Sequence, residues 1–364
     1  MMNNLEPVFF TLLRSAIWNT TPELKEEITA SMWNDILAIS KEQTAQGIIF
    51  DAIAKLPATS RPPKELVIKW ITIQKTVEKQ NIIMNNEVIS VIDKLEKTGI
   101  KPYLLKGQGV AQNYPVPQHR ICGDIDLYFT NEHYIKSLEY FSSLGCTIED
   151  DHLASHAETE YNGIKIELHK KSATFYTKKL QSRYNEITDS IISSQECHTT
   201  INGKDIAVLP PMANALQMLS HILRHMIFSG LGLRQVCDWV LFIHKHQKQI
   251  DKELFIKYAK ELQLWETYKA VTAIATDYLG LPKEYALCEL TKKDKKLAKK
   301  AFQLIMTYGN FGHYGEHVVT TSKMEYLKSY MWKVRNCIRF RRLSRSETWN
   351  YPIWQLHSIK NMIE

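Results

Sequence analysis

One seven-residue stretch, Gly123-Asp124-Ile125-Asp126-Leu127-Tyr128-Phe129, constrains the fold of this chain more than any other. Side chains alternate faces along a β-strand, so Asp124 and Asp126 share one face while Ile125, Leu127 and Phe129 share the other. Such a strand needs a sheet with one face on a core and the other open to a cation. Two neighbouring carboxylates repel each other, and a hard-oxygen pair of this kind suits Mg²⁺.

A third acid follows downstream. Residues 158–169 read as a β-hairpin, because Asn162-Gly163 supplies the two positive-φ positions of a tight primed turn between alternating runs. In its second strand Ile164, Ile166 and Leu168 take one face, and Lys165, Glu167 and His169 the other. A sheet that sets this strand beside the Asp124 strand brings Glu167 to the aspartates. Three carboxylates on two strands are what a two-metal phosphoryl or nucleotidyl transfer site requires.

Upstream, residues 101–105 form a short apolar strand that breaks at Lys106-Gly107, and a helix is expected over 108–114. A strand–Gly–helix turn lets the backbone approach a phosphate, and a helix start presents free N–H groups to it. Lys106 adds a point charge for a β- or γ-phosphate.

Leu105-Lys106-Gly107, Tyr114-Pro115, Arg120, Gly123 to Leu127 and Glu167-Leu168-His169 together resemble an uncharacterised bacterial nucleotidyltransferase family. That family belongs to the DNA polymerase beta-like nucleotidyltransferase superfamily. The specific motifs span residues 104–169, and Leu233 to Asp238 fit the family layout less specifically. The resemblance implies an α/β (α+β) fold, a small mixed-sheet core embedded between helical segments. It also implies a metal-dependent enzyme that transfers an NMP, expected to be AMP from ATP, to a hydroxyl acceptor with release of pyrophosphate. On this reading Asp124, Asp126 and Glu167 are catalytic and hold two Mg²⁺ ions, while Lys106, Gly107, Gln108, Arg120 and Gly123 bind the nucleotide. Gln108 stands where the superfamily usually has Ser, which shifts the phosphate grip to backbone N–H groups, Lys106 or Arg120. The acceptor is left open among a small molecule, a sugar, a protein and a nucleic-acid end, the last not indicated by any motif. The alternative is a weakly active or inactive nucleotide-binding, regulatory or partner-binding protein on the same fold.

The sequence divides into a helical region 1–99, a catalytic core 100–209 and a helical region 210–364. A helix start is expected at Thr21-Pro22, a long helix from Glu65 to Lys97 after Pro62-Pro63, and a last strand near 205–209 before Pro210-Pro211. No apolar run reaches the roughly 18 residues of a membrane span. The start of the chain lacks the pattern of a secretory signal, and six scattered cysteines suit free thiols, so a cytoplasmic location is expected.

The net charge of +7 is uneven, with fifteen basic and five acidic residues in 291–364. This basic excess reads first as a solvated helical face, with capture of an anionic acceptor as the functional alternative; Lys328, Met331, Arg335 and Arg339 form its clearest stripe. His221 and His225 have metal-ligand spacing, but a packed pair is expected. Arg234 and Asp238 are read as a helix ion pair, with a structural or pocket role, which the resemblance implies, as the alternative. His169 is expected either to orient a carboxylate or the acceptor, or to be a plain polar strand residue. Arg120 is favoured as a phosphate contact over pairing with an Asp. The Gly- and aromatic-rich residues 308–315 read as a connector, and Trp239, Trp332, Trp349 and Trp354 as core.

Overall fold

The computed structural model describes residues 2–150, 156–310 and 323–353. The first helices are α1 (Met2–Ile17), α2 (Ala30–Glu42), α3 (Gln46–Ala54) and α4 (Lys64–Lys97). Pro63 occupies the N-cap of α4, where a missing N–H costs nothing. Gly99, at φ 78°, ends the turn that follows it. Thr21-Pro22 starts no helix; Thr29 does so instead, its hydroxyl accepting from the Met32 N–H.

Strands and helices then alternate: β1 (Tyr103–Leu105), α5 (Gly107–Ala111), β2 (Ile125–Tyr128), α6 (Asn131–Ser143), β3 (Glu149–Asp150), β4 (His156–Tyr161) and β5 (Ile164–His169). After these come α7 (Lys178–Ser194), β6 (Cys197–Ile201) and β7 (Lys204–Val208). The seven strands make one mixed sheet in the order β3-β4-β5-β2-β1-β7-β6. The β4–β5 turn is as expected, with Asn162 and Gly163 at φ 52° and 74°. Asn202-Gly203 repeats the same turn chemistry between β6 and β7, at φ 47° and 81°.

One face of the sheet carries Ile125, Leu127, Phe129, Ile166 and Leu168 against Met84 to Leu95 of α4 and Tyr134 and Phe141 of α6. Burying these side chains fixes the register, because a one-residue slip would turn the acids into that core. The remaining helices are α8 (Pro211–Arg224), α9 (Leu233–His246), α10 (Lys252–Glu261), α11 (Trp265–Tyr278), α12 (Lys292–Tyr308) and α13 (Lys323–Arg339). A second core joins α1, α2, α3 and Trp70 of α4 to α8, α9, α11 and α12, so the two sequence-distant helical regions pack as one body. Long α4 belongs to both cores and spans about 50 Å at 1.5 Å per residue. Trp239 is core as expected, whereas Trp349 is 77% exposed. Trp354 and most of 308–315 lie outside the described residues. Among the described residues no helix is long and apolar enough to cross a membrane.

Candidate active site

Parallel pairing of β2 with β5 sets Asp126 directly against Glu167 and Tyr128 against His169. Residues in register on neighbouring strands share a face, so the acids meet on the side away from α4. Asp124 lies just before β2 and completes the group. The three line a cavity of about 540 Å³, within the range of small-molecule sites, whose opposite wall is built by α8, α9, Lys333 and Tyr351.

The acids differ sharply in how their charge is met. Asp126 is 3% exposed. Its Oδ1 accepts from Lys106 Nζ at 2.9 Å and from His169 Nε2 at 2.8 Å. Burial pushes its carboxyl up, but Lys106 and then His169 outweigh it and hold the group well below the usual carboxylate range. Glu167 is treated similarly: burial raises it, and the hydrogen bond from His169, at 3.2 Å, brings it below normal. The same contacts raise the His169 imidazole against the effect of burial. Asp124 is the exception. Burial, then Asp126 and Glu167, push its carboxyl up to about 6 against the pull of Lys106 and Arg234. Negative charge is thus left uncompensated where Asp124 faces the cavity.

Lys106 sits at the bend between β1 and α5 with φ 42° and ψ −137°, a conformation that side chains rarely adopt. Gly107 follows at φ 35°. A Cβ there would lie 3.5 Å from the Asp124 carbonyl oxygen. The bend therefore brings the Lys106 ammonium to Asp126 rather than leaving it to solvent. The helix after it is shorter than expected, Gly107–Ala111.

Two of the residues expected to bind nucleotide have their side chains engaged within the protein. Gln108 is 2% exposed, and its amide donates to Asn81 Oδ1 of α4 at 3.0 Å; among the described residues it does not line the cavity. Its side chain ties α5 to Asn81, which in turn donates to the Arg120 carbonyl at 2.8 Å. Arg120 reaches the cavity wall but is committed: Nε and Nη2 each donate to Asp238 at 2.7 Å. Tyr114 Oη adds a third bond to Asp238 at 2.7 Å. This buried fork satisfies the guanidinium with a carboxylate of the protein. Gly123 lines the cavity with nothing within 4 Å of a Cβ built on it.

Arg234 does not pair with Asp238, because Arg120 occupies that carboxylate. Its Nη1 donates to the Ile121 carbonyl, its buried Nε has no partner among the described residues, and it lines the cavity. His221 and His225 also face the cavity as a ring pair 4.2 Å apart. Burial above all drives His221 well below its ordinary value and His225 to about 3, so both rings are neutral. A five-residue π-helix, His225–Ser229, follows α8 and brings Phe228 into the wall, stacked 3.6 Å from Tyr351. Lys328, Arg335 and Arg339 of the basic stripe are exposed and do not line the cavity, whereas Lys333, on the same helix but outside the stripe, does.

Sequence reasoning missed His156 as a neighbour of Glu167 at 3.8 Å, although it had a signal. The two-residue Asn162-Gly163 turn puts His156 opposite His169 by counting back along the hairpin.

A mixed sheet with acids on two neighbouring strands, at the floor of a cavity walled by helices, defines the nucleotidyltransferase class. Residues 29–280 match the family described as uncharacterised nucleotidyltransferase, and the chain belongs to that family; it is a nucleotidyltransferase, as the motifs anticipated. No curated protein matches it. Among solved structures it is similar to an antigenic nucleotidyltransferase-like protein from Paracoccidioides brasiliensis, at 13% identity and a TM-score of 0.37, over 56% of this chain and 95% of that one.

Proposed function

We propose that the protein transfers AMP from ATP to a hydroxyl acceptor at the Asp124–Asp126–Glu167 group. One observation carries this reading: the β2–β5 register puts Asp126 against Glu167, with Asp124 beside them at a cavity large enough for a nucleotide. The donor set fits Mg²⁺, since three carboxylates converge and the Asp124 carboxyl is raised to about 6, first by burial and then by its acidic neighbours. Two Mg²⁺ ions held by Asp124, Asp126 and Glu167 would neutralise the triphosphate and lower the pKa of the attacking hydroxyl.

The chain's own residues do the rest. The acceptor oxygen bonds to the α-phosphorus, the α–β bridging P–O bond breaks, and its electron pair leaves with pyrophosphate. Glu167 orients the attacking hydroxyl in line and accepts its proton as the new bond to phosphorus forms. Lys106 exchanges its bond to Asp126 for the β- or γ-phosphate as the acids take up cations. Arg234, which has no carboxylate of its own, donates to the remaining phosphate oxygens. Phe228 and Tyr351 offer an aromatic wall for the base. His169 holds Asp126 and Glu167 at their mutual spacing. The acceptor is a small molecule, a sugar or a protein, and the setting is the cytoplasm.

A binding-only reading is favoured by one specific feature: Asp126 Oδ1 already holds both Lys106 and His169. Labelled NTPs screened against the acceptor classes separate the two. Pyrophosphate release by the wild type, lost in Asp126→Asn with the melting temperature retained, supports transfer. Equal release by Asp126→Asn would sink it, and nucleotide binding without release would leave the binder.

A further inference from the structure

We propose that the β4–β5 hairpin carries a binding site for a first-row transition-metal ion, typified by Zn²⁺, made of His156, Glu167 and His169. The site differs in chemistry from the aspartate pair but adjoins it: Glu167 belongs to both groups, and His169 Nε2 also donates to Asp126 at 2.8 Å. Antiparallel pairing sets His156 directly opposite His169, with the two rings 4.9 Å apart. Glu167 lies two residues before His169 on the same face. Its Oε2 is 3.2 Å from His169 Nε2 and 3.8 Å from His156 Nε2. One donor atom from each of the three lies within 4.8 Å of the others.

A tetrahedral zinc ion at about 2.0–2.2 Å from each donor needs donors roughly 3.0–3.6 Å apart. One measured separation falls in that window and the other exceeds it slightly. Closure asks for rotation of the His156 ring, whose side chain is 25% exposed, away from Glu158 at 3.3 Å, and for His169 Nε2 to exchange its bond to Asp126 for the metal. All three ligands face the cavity, so a fourth position is open to water or substrate. The ligand types decide the metal. Mg²⁺ demands oxygen donors in near-octahedral array, whereas two imidazoles and a carboxylate suit zinc and its neighbours. Lys165, 2.7 Å from Glu158 and 3.6 Å from Glu167, steadies the carboxylates around the ligands.

The test needs no nucleotide. Untagged, chelator-treated protein is titrated by calorimetry with Zn²⁺ and, separately, with Mg²⁺, and metal content is measured after dialysis. One Zn²⁺ per chain, bound about 100-fold or more tighter than Mg²⁺, is expected. His156→Ala and His156→Gln, checked for an unchanged melting temperature, should each weaken Zn²⁺ by about tenfold or more. His221→Gln should leave Zn²⁺ affinity unchanged. Asp124→Asn should also keep Zn²⁺ binding while losing Mg²⁺-dependent stabilisation by ATP, so this site and the nucleotide site fail independently. Zn²⁺ binding no tighter than Mg²⁺, or unaltered in both folded His156 variants, would overturn the proposal, as would loss in His221→Gln alone.

Discussion

Two arginines enter the same cavity and do opposite things. Arg120, from the loop before β2, is closed: a buried fork to Asp238, reinforced by Tyr114, fastens the catalytic core to α9. Arg234, one turn before Asp238 on α9, is open: among the described residues it donates to the Ile121 carbonyl, its buried Nε has no partner, and it lines the cavity. The sheet side repeats the contrast, with Asp126 compensated by Lys106 and His169 while Asp124 is left repelled. Of the two arginines, the one whose charge is met inside the protein holds the fold, and the one whose charge is not met is available to a ligand. Sequence spacing alone would have paired Arg234 with Asp238, and the competition between the two arginines reverses that choice.

The comparison predicts its largest effect at the closed arginine. Arg120→Ala strands Asp238 without its cation, and breaking a buried pair from one side costs about 3–5 kcal/mol. Chemical denaturation should show that loss, whereas Arg234→Ala should change stability little. Comparable destabilisation in the two variants would erase the distinction between them.

Next comes the repelled acid. With metal removed by chelator, the folded Asp124 carboxyl titrates near 6, above its ordinary 3.8. The folded state then keeps a proton that the unfolded state has lost, so stability falls as pH rises from about 4 to about 6. The cost at neutral pH is on the order of 2–3 kcal/mol. Asp124→Asn should therefore exceed wild-type stability at pH 7, with the difference vanishing near pH 4. Thermal melts across that interval check it, and a pH-independent difference would contradict it.

At the open arginine the effect is on binding. Removing a charged hydrogen-bond donor costs roughly 1.5–3 kcal/mol. Arg234→Ala should therefore weaken ATP by about tenfold to a hundredfold, read by calorimetry, with the fold retained. The smallest effect isolates the backbone at Lys106. Lys106→Gly and Lys106→Ala lose the same charge, but only glycine is at ease at this φ, so the glycine variant should be the more stable by about 1 kcal/mol. Both should weaken triphosphate more than monophosphate binding.

How far the site was readable follows from range. Asp124, Asp126 and Glu167 come together through strand periodicity and one tight turn, both local properties, and the alternation of Ile166 and Leu168 with Glu167 states which face is dry. His156 was equally readable from the Asn162-Gly163 turn. The Arg120–Asp238 bond joins residues 118 positions apart and has no local sign. Gln108 looked like a nucleotide ligand because it follows Lys106-Gly107, and its bond to Asn81, 27 positions away, has no local sign. Strand β6 went unread because its residues Cys197 to Thr200 are only half-buried or exposed, which blurs alternation, although Asn202-Gly203 marked its turn. The helical wall was legible as helix but not as wall, since the polar stripe Gln217, His221 and Arg224 of α8 faces the cavity, where sequence pattern alone would put solvent.

The central claim is that the uncompensated acid group binds nucleotide through divalent cations. It is tested most directly by the melting temperature in ATP with and without Mg²⁺, for wild type and Asp124→Asn at pH 7. The account predicts that ATP stabilises the wild type substantially only when Mg²⁺ is present, and that Asp124→Asn, though folded, loses that dependence. Stabilisation by ATP that is as large without Mg²⁺, or undiminished in Asp124→Asn, would contradict it.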